Sequence, residues 1–361
     1  MNQLDLFSDT AAPDTPHTPA PAPRRYRIDV PPSPSPAAAP TRPHPTQGKI
    51  TSALRHYRPA QRNPHRAAFD IAEAVSHAWH HAQGGAGIEI PVGVVATLAL
   101  WPLRGPDAYL AADWWLSLND TQLLAAFREC WARWWITRPD LIDRATPLHK
   151  WVDDDAPSPK RAPAVQAVVR AALTNGLLHL TSSNDPGLRS SADILGLLLA
   201  IMRSQGAHDA LAEIHTPPDI AEIMARVTLD GMTLEPGMMF DEPAGGTGGM
   251  YRAAVQAMRD RGIDPHDFGW SLTDIDELAA AGAAVNAIIW DLGPHVLIAC
   301  GDTLHEYDLY TKAAHEARES LERRDRLHAQ ATLLATLQRA EALVTQASDQ
   351  EERQQASRKG S

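Results

Sequence analysis

Apolar positions recur at intervals of three and four along much of the first two thirds of the chain. The stretches HRAAFDIAEAVSHAWHHA, AADWWLSLNDTQLLAAFRECWARWWI and APAVQAVVRAALTNGLLHL show this spacing and contain few β-branched runs. Such spacing gathers the apolar side chains on one face of a helix. The pattern therefore predicts an all-helical domain over residues 66–230.

From residue 231 the pattern changes to short apolar runs that alternate with glycine turns and helical stretches. Strands are predicted for GMMFDEPA, FGWSLTDID and HVLIACGDTL. Between them, GGTGGMYRAAVQAMRDRG predicts a glycine turn running into a helix, and ELAAAGAAVNAIIWDLG predicts a second helix. The order β-α-β-α-β is typical of a parallel, doubly wound α/β sheet. We expect this domain to occupy residues 231–305.

The two ends of the chain differ from both domains. Runs such as PAPAPRR and PPSPSPAAAPTRPHP fill residues 1–65, and they predict a disordered, proline-rich tail. Residues 306–361 predict a charged helical extension whose last dozen residues are disordered. Within it, Leu333, Leu337, Ala340 and Val344 follow one another at four, three and four residues. This row predicts a packing or dimerising helix but covers too few heptads to indicate a long coiled coil.

The composition is that of a largely globular protein, with 361 residues, 44% hydrophobic residues and a formal net charge of −11. The sequence contains neither a run of eighteen apolar residues nor the basic-then-apolar order of a secretory signal, so we expect no membrane contact and a cytoplasmic location. Cys130 and Cys300 match no paired metal-ligand spacing and are expected to be reduced.

The tail is basic although the whole chain is acidic. Between residues 24 and 66 it has one acid, Asp29, and nine basic residues: Arg24, Arg25, Arg27, Arg42, Lys49, Arg55, Arg58, Arg62 and Arg66. Such an arm can serve as a solubilising linker or as a phosphate-contacting segment that adds salt-sensitive affinity for nucleic acid. Both interpretations stay open.

Two further features of the helical region are interpreted as structural. The tryptophans recur at helical spacing, which favours packing in the core over a base-stacking surface. His77, His80 and His81 share one helical face, but no glutamate in a zincin arrangement and no further ligand accompanies them. We therefore assign no metal.

The sharpest chemical feature is FDEPAGGTGGM at residues 240–250. A strand that ends in acids and turns through several glycines into a helix brings backbone N–H groups close to a ligand. The spacing is neither that of a Walker loop nor that of the dinucleotide fingerprint. It predicts a cofactor-binding loop.

Acidic residues follow the next two strands as well. Asp274, after the second strand, is placed to accept hydrogen bonds from the hydroxyls of a ribose, and Asp302, after the third, from an adenine amino group. Acids at such positions also cap the helices that follow them. Three in register after a glycine loop favour the ligand interpretation.

These motifs resemble the adenosylmethionine-binding half of N6-adenine DNA methyltransferases, most closely the modification subunits of type I restriction systems and related phage enzymes. HTPPDIAEIMARV, DEPAGGTGGM, TDIDELAAAGAAVNAIIWDLG and GDTL stand in the family's order, and the resemblance covers about residues 190–305. It implies a Rossmann-like methyltransferase core, S-adenosylmethionine as cofactor, and DNA as the partner, reached directly or through another subunit. It also implies that Asp274 holds the ribose, that Asp302 holds the adenine, and that the methionine end is lined by Thr216, Pro217, Glu242, Pro243, Ala244, Gly245, Gly246, Thr247 and Gly248.

The chain departs from that family at several places. Glutamate stands at 242 where the family usually has aspartate, and glycine stands at 245 where it has cysteine or alanine. More importantly, the sequence lacks the Asn-Pro-Pro-aromatic motif with which the family grips a flipped adenine, so no catalytic residue is assigned. Either the sheet is incomplete and another chain supplies the target pocket, or the protein is a non-catalytic, DNA-associated adaptor. A small-molecule methyltransferase is a third, less favoured interpretation.

The first residues of the tail carry a separate resemblance. Gln3, Leu4, Leu6 and Phe7, in QLDLF, resemble the short peptide by which bacterial replication and repair proteins dock on the sliding clamp. An extended peptide of this kind anchors its apolar side chains in a groove of the partner. The alternative is that these side chains pack on the protein's own body.

Overall fold

The computed structural model describes residues 63–84, 86–105, 110–153, 161–203 and 216–359, with side chains to residue 346. Nearly all of the proline-rich tail, including Gln3, Leu4, Leu6 and Phe7, lies outside the described residues, so what we predict for the tail rests on the sequence alone. Within the described ranges the molecule is mostly helical, with one small parallel sheet.

The part of the chain before the sheet is built from short helices, as the spacing predicts. They are α1 Pro64–Gln83, α2 Glu89–Ala99, α3 Ala111–Ser117, α4 Asp120–Thr137, α5 Pro139–Arg144, α6 Thr146–His149, α7 Arg161–Thr174, α8 Leu177–Thr181, α9 Pro186–Arg189, α10 Ile194–Met202 and α11 Pro218–Asp230. A 3-10 turn, Lys150–Asp153, follows α6.

Two stretches whose apolar spacing is continuous are each divided into two helices. The first breaks between α3 and α4, where Asn119 caps α4: its side chain accepts from the N–H of Gln122, and the Gln122 side chain accepts from the N–H of Asn119. The second breaks between α7 and α8 at Gly176, whose φ is 95°. Local capping therefore decides boundaries that periodicity leaves open.

The tryptophans mostly pack in the core. Trp79, Trp115, Trp131 and Trp151 are buried, whereas Trp114 is 43% exposed and stacks on Trp101. Trp131 donates its indole N–H to the hydroxyl of Thr97 at 2.8 Å, whereas the buried indole N–H of Trp115 has no acceptor among the described residues. The core interpretation is confirmed for these four.

The predicted β-α-β-α-β unit is present, and it makes the chain an α/β protein. Its elements are β1 Met239–Glu242, α12 Gly249–Asp260, β2 Gly269–Asp274, α13 Glu277–Ile289 and β3 Val296–Cys300, with a 3-10 turn, Pro265–Asp267, before β2. The strands pair in parallel in the order β1-β2-β3. All three are shorter than the runs that predicted them: β1 ends at Glu242 and β2 at Asp274, and the residues that follow each of them begin a loop.

Helices and sheet share one hydrophobic core, which includes Ile71 of α1, Leu198 of α10 and Trp270 of β2. One buried and one half-buried arginine add polar contacts between the helices and the sheet. Arg189 of α9 donates from Nε to the carbonyl of Ile289 at 2.7 Å, and Arg259 of α12 donates to the carbonyl of Trp290 at 2.6 Å. They cap the end of α13, where backbone carbonyls lack partners within the helix.

The C-terminal extension is one helix, α14, from Leu309 to Lys359. It continues through most of the last dozen residues, so the prediction of disorder there is wrong; that stretch contains no proline, and glycine occurs only at residue 360. None of the helices in the described ranges has the length and apolar character that crossing a bilayer requires.

Candidate functional site

The carboxyl ends of three neighbouring strands form the edge at which the candidate site lies. Glu242 ends β1 and pairs with Leu272, while Asp274 ends β2 and pairs with Cys300. Asp302 lies two residues beyond β3, and the N–H of Gly301 donates to the carbonyl of Asp274 at 3.0 Å. Ligands of parallel α/β sheets bind at this edge.

The loop from β1 to α12 folds back over the end of β2. The N–H of Gly245 donates to the carbonyl of Thr273 at 2.9 Å, and the N–H of Gly246 donates to Asp274 Oδ2 at 2.7 Å. Gly246 and Gly248 have φ of 54° and 93°, a region that side-chain-bearing residues adopt at a cost. The glycines are therefore needed for the path of the loop as well as for access.

The loop leads into an uncapped helix end. Helix α12 begins at Gly249, and no side chain of the described residues caps its N-terminus. A Cβ placed on Gly246 or Gly249 would meet no heavy atom within 4 Å. The N-terminus of a helix with free N–H groups and open space before it suits an anionic group such as a carboxylate.

A polar network that the sequence does not predict lies under the glycine loop. Asp193, which caps α10, accepts from Thr247 Oγ1 at 2.6 Å, from Asn286 Nδ2 at 2.9 Å and from the N–H of Gly196 at 2.9 Å. Asn286 also donates to the carbonyl of Thr247 at 2.9 Å. The network thus joins the glycine loop to α10 and α13.

Two glycines leave room for that network. A Cβ on Gly196 would lie 2.5 Å from Thr247 Oγ1, and one on Gly282 would lie 2.9 Å from Thr247 Cγ2. Asn286 is buried in the middle of the apolar helix α13. Because buried amides are hydrogen-bonded, an asparagine within such an apolar run is the one feature of the sequence that indicates a polar partner.

Asp274 holds the loop in addition to facing the site edge. One carboxylate oxygen accepts from Gly246, and the other accepts from the N–H of Asp276 at 2.9 Å. Asp276 in turn caps α13 and forms a largely buried ion pair with Arg203. Each carboxylate oxygen has further acceptor capacity, so Asp274 can bind hydroxyl groups without releasing the loop.

Glu242 is a half-buried carboxyl group at the end of the outer strand β1. Its pKa is raised above the usual range, first by burial and then by the negative charges of Asp241 and Asp274, while the N–H of Ala244 acts in the opposite direction. A bound cation would stabilise the ionised form of Glu242, because its positive charge offsets both the loss of hydration and the repulsion from the neighbouring carboxylates.

The raised pKa predicts the behaviour of Glu242→Gln. The folded chain binds the Glu242 proton more tightly than the unfolded chain, so the stability that this group contributes at low pH is lost as the pH rises through the raised pKa. We expect Glu242→Gln to melt at a higher temperature than the wild type at about pH 8, with the difference shrinking towards about pH 4. Thermal unfolding across that range measures it.

Glu235→Gln is the control for that prediction, because Glu235 is an exposed carboxylate shortly before β1. A melting temperature that rises equally in both variants, or a gain in Glu242→Gln that does not depend on pH, would contradict the assignment of a raised pKa.

Asp302 lies on a more exposed turn. It accepts from the N–H of Leu304 at 2.9 Å and lies 2.6 Å from His305 Nδ1, and these contacts lower the pKa of its carboxyl group. Asp302 therefore caps the turn that follows it, whereas the alternative interpretation of the sequence expected it to cap a helix. Its second role, as an adenine acceptor, stays a prediction.

Thr216 and Pro217 stand apart from the other predicted site residues. Both are exposed and precede α11, which packs on α12 through Ala221, Ala225 and Ala253. Among the described residues no hydrogen bond joins Thr216 or Pro217 to the glycine loop. The remaining predicted residues, Glu242 to Gly248 with Asp274, are brought together at the strand ends.

The histidines of α1 form no metal cluster. Within the described ranges, no three His, Cys, Asp or Glu side chains are grouped so as to hold a metal ion. His80 lies 2.8 Å from the carbonyl of Ser76 in its own helix, and the rings of His77 and His81 stack with centroids 6.3 Å apart.

Comparison with solved structures finds a similarity to the methyltransferase subunit of a type I restriction-modification system from Streptococcus thermophilus. The match has 14% identity and a TM-score of 0.34, and it covers 71% of this chain and 60% of that subunit. The chain therefore spans less than two thirds of the length of that subunit. No family model and no curated protein matches the chain.

Proposed function

We propose that the chain binds S-adenosylmethionine at the 242–249 loop and acts as a DNA N6-adenine methyltransferase or as part of one. The observation that carries the proposal is the hydrogen bond between the N–H of Gly246 and Asp274, which joins a glycine loop to the acid at the end of the next strand. Loop and acid are thereby presented together to one ligand.

The residues present fit the chemistry of that cofactor. Glu242 offers a negative charge to its amino group, the start of α12 offers N–H groups to its carboxylate, and Asp274 offers acceptors to the ribose hydroxyls. Asp302 is proposed for the adenine amino group. S-Adenosylmethionine, when bound, supplies an electrophilic methyl group; the residues named here bind and orient it.

A second candidate is a cofactor-binding half of an enzyme, completed by another subunit. Two observations favour it. The strand order leaves the outer edge of β1 unpaired among the described residues, with Met239 47% exposed. Helix α11 exposes Ile220, Ile223, Met224 and Val227, an apolar face opposite the one that packs on α12. An uncovered strand edge and an exposed apolar helix face are each typical of a surface that another chain covers.

The proposed test is transfer of labelled methyl from S-adenosylmethionine to unmethylated genomic DNA. Label in DNA with the wild type, and its loss in Asp274→Ala, would support a complete enzyme whose target pocket lacks the Asn-Pro-Pro motif. Absence of label from a sample that binds the cofactor would favour the half-enzyme or the adaptor. Absence of both transfer and cofactor binding would overturn the proposal.

Docking of Gln3, Leu4, Leu6 and Phe7 on a sliding clamp remains a proposal carried by the sequence alone. Titration of a peptide with residues 1–12 against a purified bacterial clamp tests it, and a peptide with Leu6→Ala and Phe7→Ala is the control. Equal binding of the two peptides would contradict it.

A further inference from the structure

Helix α14 begins on the body of the protein and then leaves it. Leu309 and Ala313 are buried against β3, Glu316 pairs with Arg144, and Arg323 pairs with Asp143. From residue 325 to residue 346 every side chain is exposed. This second part of α14, which we name the projecting segment, therefore buries none of its side chains within one copy of the described chain, and isolated helices are marginal in water.

The projecting segment carries an uncovered apolar row. Leu333, Leu337 and Val344 are 61%, 51% and 67% exposed, and Ala340 completes the intervals of four, three and four. Leu327 and Leu334 border the row and are also exposed. This is the spacing with which helices pair in coiled coils, and such leucines are normally covered.

The charges that continue the row indicate what covers it. Arg326 stands seven residues before Leu333, and Glu351 stands seven residues after Val344. In a parallel pair of identical helices each position faces its own copy, so Arg326 would meet Arg326. In an antiparallel pair centred between Leu337 and Ala340, Leu333 faces Val344, and the position of Arg326 faces that of Glu351. The antiparallel arrangement replaces two like-charge pairs by two opposite-charge pairs.

We infer that the projecting segment pairs in antiparallel orientation with the same segment of a second copy of this chain. The pairing covers the row with identical residues and needs no other partner. With a rise of 1.5 Å per residue, residue 325 of the two copies would be separated by about 40 Å, so the two cofactor-binding bodies would lie at opposite ends of the helix pair. The inference does not depend on the proposed methyl transfer.

The test is the mass of the full chain in solution, by sedimentation velocity over a concentration series. We expect the wild type to have twice the chain mass of 39.3 kDa, and Leu337→Asp to be a monomer. Ala335→Asp is the matched control, because Ala335 is an exposed residue of the same segment on the side away from the row, and it should remain a dimer. An unchanged melting temperature of the body in each variant shows that the fold is kept.

The orientation has its own test. Arg326→Glu should weaken the dimer about tenfold, and Arg326→Glu combined with Glu351→Arg should restore it, since only the antiparallel pair exchanges these partners. A wild-type chain that is monomeric at every concentration, or a Leu337→Asp chain that remains dimeric, would overturn the pairing. Failure of the double variant to recover would overturn the antiparallel orientation.

Discussion

Gly245→Ala is expected to lower both the stability of the chain and its affinity for S-adenosylmethionine. A Cβ on Gly245 would lie 2.3 Å from Leu272 Cγ and 2.5 Å from Leu272 Cδ1, and Leu272 is buried at the centre of the sheet. Overpacking of this kind costs about 1–3 kcal/mol of unfolding free energy. The displaced loop would also withdraw the N–H of Gly246 from Asp274, and we expect cofactor affinity to fall by about tenfold or more.

The matched control is Gly249→Ala, four residues further along the same loop and helix. A Cβ there meets no atom within 4 Å, and the backbone is helical, so alanine should be neutral or slightly stabilising. Denaturation in urea compares the stability of the two variants, and calorimetric titration compares the cofactor affinity of Gly245→Ala with that of the wild type. Equal effects in both would contradict the role given to Leu272.

Leu272 also explains why position 245 needs glycine rather than a residue with a Cβ. The leucine side chain occupies the space of that Cβ. In a double-mutant cycle, Gly245→Ala and Leu272→Ala should therefore cost less together than the sum of the two single losses.

Asp193→Ala is expected to be the most destabilising substitution near the site. It removes the cap of α10 and leaves the Thr247 hydroxyl and the buried Asn286 amide each without one of its acceptors. A lost cap costs about 1 kcal/mol and an unsatisfied buried group about 1–3 kcal/mol, so we expect a total of about 3 kcal/mol in unfolding free energy.

Asp185→Ala separates the two contributions. Asp185 caps α9 by accepting from the N–H of Gly187 at 2.8 Å, and beyond this cap its carboxylate attracts Arg189 and Arg259 by charge alone, so its loss should cost only about 1 kcal/mol. Urea denaturation of both variants gives the comparison. If Asp193→Ala cost no more than Asp185→Ala, the network could not be what holds Thr247 and the loop in place.

The β-α-β-α-β order was predictable because each element has a local signal: a short apolar run, a glycine turn or an apolar helix. The same reasoning brought Glu242, the glycines and Asp274 to one edge, since the ends of parallel strands meet there. Whether these residues bind a cofactor stays a prediction.

Other features depend on contacts that are distant in the sequence. Asp193 reaches Asn286 across 93 residues, and as an aspartate before an apolar helix it looks like an ordinary cap. Periodicity likewise could not show that Asn119 and Gly176 divide helices, because the apolar spacing continues through both. Thr216 and Pro217 were placed at the site by resemblance, and no contact in the described part of the chain brings them there.

Calorimetric titration of S-adenosylmethionine into the purified full chain tests whether the glycine loop and Asp274 bind the cofactor together. The variants are Asp274→Ala and, as control, Asp264→Ala. Like Asp274, Asp264 accepts a hydrogen bond from the N–H two residues further along the chain, that of His266 at 3.0 Å, but it lies before β2 rather than after it. We predict saturable binding at about micromolar concentration by the wild type and by Asp264→Ala, and its loss in an Asp274→Ala chain that remains folded. No binding by the wild type, or equal binding by folded Asp274→Ala, would contradict the account.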